Sequence, residues 1–175
     1  MQKKKIEELK EIMNSQQKWI KVHAAEFLIW ENQEIETVKD VFLNEEIQFD
    51  TISQYRIGIW RVLNQASNSP GEKKKYLKKI SHAFLSGPDS LHALETLAKL
   101  KQPISLKEPQ FANQIFEASE ATSFEIYGLW NLYHDPNMDK GRIIDQLIAV
   151  LNNPKQSDLH KTIVSYVLRY IKLNK

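Results

Sequence analysis

His23 and Glu26 stand three residues apart, and so do His92 and Glu95. On a helix this spacing puts an imidazole and a carboxylate on one face, where they can share a metal ion or a proton. Distance argues against one shared metal centre. The two pairs fall two helical hairpins apart in the repeat described below. Neighbouring helices pack at ~8–10 Å, which separates the pairs by roughly 20 Å. Metal–ligand bonds are only ~2 Å long. A His–Glu hydrogen bond along each helix is the simpler expectation, and no metal site is assigned. Acid–base catalysis needs groups that converge on one substrate. His92, Glu95, Arg56 and Tyr127 are the set that adjacent hairpins would bring together, and a small sugar-like molecule is the substrate class such a lining suits. There is no Gly-rich phosphate loop, serine nucleophile elbow or His-Glu-x-x-His motif. No cofactor is expected.

The elements that must position these residues read as helices almost from end to end. Ile6, Leu9 and Met13 mark a first helix from about Lys3. Ser15 is a candidate cap for a second over about 16–31. A third covers about 34–45, and Asp50 or Thr51 is the candidate cap of a fourth over about 52–66. Ser-Asn-Ser-Pro-Gly breaks the chain at 67–71. A fifth helix carries Tyr76, Ile80 and Phe84, and Pro88 suits the first turn of a sixth ending near Leu100. Helices follow at about 109–118, 122–134, 138–152 and 157–173. No alternating strand pattern is bounded by hairpin turns. Gly 5 and Pro 6 in 175 residues also disfavour a turn-rich β fold.

The small residues Ala24, Gly58, Ala93 and Gly128 recur at intervals of 34, 35 and 35. Around them His-Ala-Ala-Glu at 23–26 returns as His-Ala-Leu-Glu at 92–95. Ile-Gly-Ile-Trp at 57–60 returns as Tyr-Gly-Leu-Trp at 127–130. Each falls in the second helix of a pair. Glycine inside a helix costs about 1 kcal/mol relative to alanine. Two at one repeat position predict close backbone approach between neighbouring helices. The fold class expected is all-α: an α-α superhelix, or solenoid, of about five helix-turn-helix repeats forming one domain over 1–175.

Val-His-Ala-Ala-Glu-Phe-Leu at 22–28 and Leu-His-Ala-Leu-Glu-Thr-Leu at 91–97 resemble the second helix of HEAT-like repeats. That resemblance implies a groove lined by second helices. Positions at i, i+4, i+7 and i+11 form one stripe along each such helix. The stripe carries Trp19, His23, Glu26 and Trp30, then Ser53, Ile57, Trp60 and Asn64, then Pro88, His92, Glu95 and Lys99, then Ser123, Tyr127, Trp130 and His134, and last Asp158, Thr162, Ser165 and Arg169; Arg56 and Arg61 flank Trp60 towards either rim. Aromatic residues mixed with His, Glu and Arg are typical of recognition surfaces. The expected binding residues are Trp60, Trp130, His92, Glu95, Tyr127, Arg56, His23 and Glu26. The expected ligand is a protein segment or a glycan, held without catalysis. An enzyme acting on a sugar-like substrate is the alternative.

Composition narrows the remaining classes. There are 24 basic and 22 acidic side chains, for a net charge of +2. That is no field for nucleic acid. Lys73, Lys74, Lys75, Lys78 and Lys79 belong to a first helix and read as a solvated face. Cysteine is absent, which removes disulfide, thiolate-metal and cysteine-nucleophile chemistry. Lys3–Lys5 are followed by Glu7, Glu8 and Glu11 where a signal peptide would be apolar. No stretch approaches the ~20 apolar residues of a membrane span. A cytoplasmic protein is expected.

Overall fold

The computed structural model describes residues 2–173, which form ten helices and no strand among the described residues. All ten expected helices are present. They are α1 (Gln2–Ser15), α2 (Lys18–Trp30), α3 (Ile35–Phe49), α4 (Tyr55–Ala66), α5 (Pro70–Ser86), α6 (Ser90–Lys99), α7 (Gln110–Phe116), α8 (Ser123–Tyr133), α9 (Lys140–Asn152) and α10 (Asp158–Leu173).

Several boundaries differ from expectation, for local reasons. Ser15 closes α1 and does not cap α2, whose N-cap is Gln17 with no side-chain bond. Helix α4 begins after Gln54, held in the left-handed region at φ 69°, so neither Asp50 nor Thr51 caps it. Pro88 precedes α6, and the Asp89 carbonyl accepts from the Ala93 amide at 2.9 Å. Where a good cap is present the helix starts on it. Ser69 accepts from Glu72 N at the start of α5. Thr122 and Glu125 close a capping box on α8, and Asp139 accepts from two amides of α9.

Contacts divide the chain into two compact units, residues 1–93 and 94–175, with the division inside α6. In the first unit α1 packs on α2, α3 on α4, and α4 also on α2 and α5. Helix α4 is covered on several sides, and Ile57, Ile59, Val62 and Leu63 are all fully buried. In the second unit α8 has the same central place, packed by α7, α9 and α10. Its Ile126, Trp130 and Leu132 are fully buried. Within each unit, helices pack on their chain neighbours and second helices pack on each other, as in stacked hairpins.

The two helical glycines sit at contacts that a Cβ would crowd. A Cβ on Gly58 would lie 2.9 Å from Cζ3 of Trp19 and 3.0 Å from Cγ2 of Val22, both on α2. One on Gly128 would lie 2.7 Å from Cγ1 of Ile115 on α7. Both glycines therefore make room for side chains of a packed helix and not for its backbone, and the partners differ: α2 for Gly58 and α7 for Gly128.

Candidate functional site

In the first unit, Glu26, Ile57 and Trp60 of the expected stripe are drawn into the interior, while His23 and Trp30 stay exposed. Glu26 is 2% exposed, and Arg61 of α4 is 1% exposed. Arg61 donates from Nε to Glu26 Oε1 at 2.6 Å and from Nη2 to Oε2 at 3.0 Å. His23 stands outside this pair, more than half exposed, with Nδ1 3.3 Å from Glu26 Oε2. That is the intrahelical His–Glu contact expected from the spacing. His92 behaves differently: its ring stacks on Trp19, with centroids 5.7 Å apart and planes at 18°.

Trp60 is 8% exposed, and its ring lies under Arg56 of its own helix at 5.7 Å and Lys79 of α5 at 5.1 Å. Packing of α4 by three neighbours leaves little of that helix for solvent. Arg56 is in turn held by Asp89, which accepts from Nε at 2.9 Å and from Nη2 at 2.6 Å. Asp89 also accepts from the Ser53 hydroxyl and from Gln54 N. Burial pushes the Asp89 carboxyl up, but these donors together hold it below the usual carboxylate range.

Two of the five lysines of α5 are likewise used within this unit. Lys79 pairs with Glu46 at 2.7 Å, and Lys75 lies over the Tyr76 ring at 4.8 Å. The outward apolar groups of α2 are Ile20, Phe27 and Trp30, each half exposed or more, with Phe27 and Trp30 edge to face at 5.2 Å.

In the second unit Glu95, Lys99, Tyr127 and Trp130 come together, but α10 meets them with Tyr166 and Tyr170, which the sequence pattern did not single out, and not with the exposed Thr162, Ser165 and Arg169. Glu95 and Lys99 pair along α6 at 2.8 Å. The Lys99 ammonium lies 5.9 Å from the Tyr166 ring centroid. The hydroxyl of Tyr170 on α10 donates to the Lys99 carbonyl at 3.4 Å. Trp130 is fully buried beneath this layer, edge-on to Tyr166 at 5.8 Å and to Tyr170 at 4.9 Å. Tyr127 lies 6.4 Å from Trp130. Burial, and then the charge of Glu95, raises its phenol well above its ordinary value. Tyr166 is 44% exposed and is the most open member of the cluster. Three second helices, α6, α8 and α10, thus present a tyrosine surface with one ion pair, over a tryptophan floor.

Two further features lie in this unit. His134, at the end of α8, keeps a buried Nε2 with no hydrogen-bond partner among the described residues. Burial, with the charges of Lys101 and Lys140, lowers its pKa to about 4. A cavity of about 260 Å³ opens among Phe116, Glu120, Glu125, Gln146 and Asn153. Glu125 there is already engaged in capping α8.

Residue-type reasoning missed three polar groups that fix loops and helix starts, Asp89, Asn131 and Asp135, and it placed Arg61 beside Trp60 at a rim where the structure buries it against Glu26. Asn131 accepts from Ile104 N at 2.9 Å and donates to the Gln102 carbonyl at 2.9 Å, fixing the segment after α6. Asp135 accepts from the buried Ser105 hydroxyl. A signal existed. Glu26 and Arg61 are 35 residues apart, and Arg56 and Asp89 are 33 apart. Opposite charges one repeat period apart mark contacts between successive second helices.

Fold and site together define an all-helical hairpin protein with a polar-aromatic face on its second helices. No protein family, curated protein or solved structure matches the chain. No group of three or more His, Asp or Glu among the described residues is placed to hold a metal ion. No described helix is long and apolar enough to cross a membrane.

Proposed function

We propose that this chain is a HEAT-like repeat module that recognises a polypeptide segment without catalysis, through the face formed by α6, α8 and α10. The observation that carries this reading is the half-open Tyr166 beside Tyr127, Glu95 and Lys99, over the buried Trp130. Tyrosine offers a large rigid contact area and a polar tip at low entropic cost. A buried aromatic floor holds such residues in place. The Glu95–Lys99 pair adds directional contacts of both signs.

The charged groups favour binding over acid–base chemistry. Arg56 is held twice by Asp89, Glu26 twice by Arg61, and Glu95 by Lys99. Each partner would have to be displaced before the group could act on a substrate. A glycan is the other ligand class such a face accepts.

The test is selection of binders from a displayed library of short random peptides, with a glycan array in parallel. Selected peptides should lose about tenfold in affinity, or ~1.4 kcal/mol, on Tyr166→Ala, measured well below the melting temperature of the variant, which falls because the ring also covers Trp130. Peptides that bind Tyr166→Ala and Tyr127→Ala as well as the native chain would refute the assignment. Glycan hits sensitive to the same two variants would replace the polypeptide reading.

A further inference from the structure

A separate cleft lies in the first unit, and its lining shares no residue with the face proposed above. A cleft of about 240 Å³ opens beside the α1–α2 turn, the last turn of α3 and the start of α4. Four side-chain amides line it: Asn14, Gln16 and Gln17 from one turn, and Gln48 from the other. None of the four is engaged by a protein hydrogen bond among the described residues. Phe49 and Tyr55 supply an aromatic wall, with ring centroids 6.0 Å apart.

The one ion pair in the lining is fixed and mostly buried. Lys21 Nζ lies 2.6 Å from Glu45 Oε1, with side chains 13% and 12% exposed. The Tyr55 hydroxyl donates to the other oxygen, Oε2, at 2.5 Å. Burial, then the bond to Glu45, pushes the Tyr55 phenol far above its ordinary value, so this donor keeps its proton. The carboxylate is thereby neutralised and oriented from two sides. Lys18 also lines the cleft, but it is exposed and stays hydrated, so the buried wall offers no free charge.

We infer that this cleft is a binding site for a neutral saccharide, one ring in size. An amide offers two donors and an acceptor, and a sugar hydroxyl is both donor and acceptor, so the two kinds of group satisfy each other around a ring. The half-buried Phe49, backed by the buried Tyr55, is the aromatic surface that suits the apolar C–H face of a pyranose. An ionic ligand would have to compete with the Lys21–Glu45 pair. An extended peptide wants a straight line of backbone partners, whereas these amides come from two separate turns around an open cleft. Drug-sized ligands occupy pockets of about 300–1,000 Å³, so about 240 Å³ holds a single ring.

The experiment is a titration of the full chain followed by ¹⁵N-resolved NMR. Glucose, galactose, mannose and N-acetylglucosamine are the probes, with glycerol and triglycine as controls. The reporters are the side-chain amides of Asn14, Gln16, Gln17 and Gln48, and the indole of Trp19, which meets Tyr55 edge-on at 6.4 Å. Saturable shifts of these signals are expected with at least one sugar and with neither control. Gln17→Ala combined with Gln48→Ala should weaken that sugar at least tenfold at unchanged melting temperature, since both side chains are exposed. The inference is overturned by an absence of saturable shifts with all four sugars, by shifts that survive the double variant, or by saturation with triglycine alone. Tyr166→Ala should leave sugar binding intact, so failure here and failure of the peptide face are read separately.

Discussion

Arg61→Met tests the internal electrostatics of the first unit most directly. The variant keeps much of the side-chain length and removes both guanidinium donors from Glu26. The two side chains are 1% and 3% exposed, and their bonds measure 2.6 and 3.0 Å. Removing one partner of such a pair leaves a carboxylate in the interior, which costs about 3–5 kcal/mol. For a chain of this size each kcal/mol shifts the melting temperature by roughly 2–4 °C, so the fall should be roughly 6–20 °C. The double variant Glu26→Met with Arg61→Met removes both charges. It should recover most of the loss, because apolar replacement of a whole buried pair is often neutral or stabilising. Calorimetry of the native chain, both single variants and the double at pH 7 completes the cycle. An Arg61→Met loss below ~1 kcal/mol would match an exposed ion pair and refute the argument.

Further outcomes can be checked with the same protein. Gly128→Ala gains about 1 kcal/mol of helix propensity but pushes a methyl into Ile115, where overpacking costs ~1–3 kcal/mol. The variant should be neutral to destabilising, and Ile115→Val in that background should restore stability. Gly58→Ala should cost more, because it meets the rigid Trp19 ring at 2.9 Å; a stabilised variant in denaturant unfolding would contradict this. His134 has a folded pKa of about 4 against an ordinary value of 6.5. As pH falls through that window the unfolded chain takes the proton first. The contribution is therefore complete above 6.5 and declines towards 4, by at most ~1.4 kcal/mol per pH unit. Urea midpoints across this range should flatten in His134→Asn, and an unchanged slope would remove His134 from the account.

Much of the helical order was legible because apolar periodicity and chain breaks agree at nearly every element. The two glycines were legible too: a residue that weakens a helix, placed twice at one repeat position, had to have a packing reason. Helix starts were less so. Gln17 and Gln54 open α2 and α4 without a capping bond, Gln54 with a left-handed φ, and neither residue type announces a cap. The candidate face was legible only in part. The i, i+4, i+7 rule groups side chains on one helix, but it does not say how wide a strip the neighbours leave uncovered. Where α2 packs on α4 the strip is narrow, so Glu26 of α2 and Trp60 of α4 turn inward. Around α6, α8 and α10 it is wide enough to leave Tyr166 nearly half exposed.

That difference decides how variants at the tryptophans must be read. Trp130 has no exposed surface and touches Tyr127, Tyr166 and Tyr170. Trp130→Ala removes a core side chain, which costs about 3–5 kcal/mol, and it also removes the floor on which those tyrosines rest. It should abolish recognition and lower the melting temperature together, so lost binding in this variant says nothing about contact with a ligand. Tyr166→Phe separates the two roles. It keeps the ring, its packing on Trp130 and the contact with Lys99, and deletes only the hydroxyl. If that hydroxyl meets the ligand, affinity should fall by a few-fold, as for one lost hydrogen bond of about 0.5–1.5 kcal/mol, at constant stability. If Tyr166→Phe and Tyr166→Ala both bind selected peptides as the native chain does, the tyrosines cover Trp130 and nothing more, and the recognition reading of this face falls.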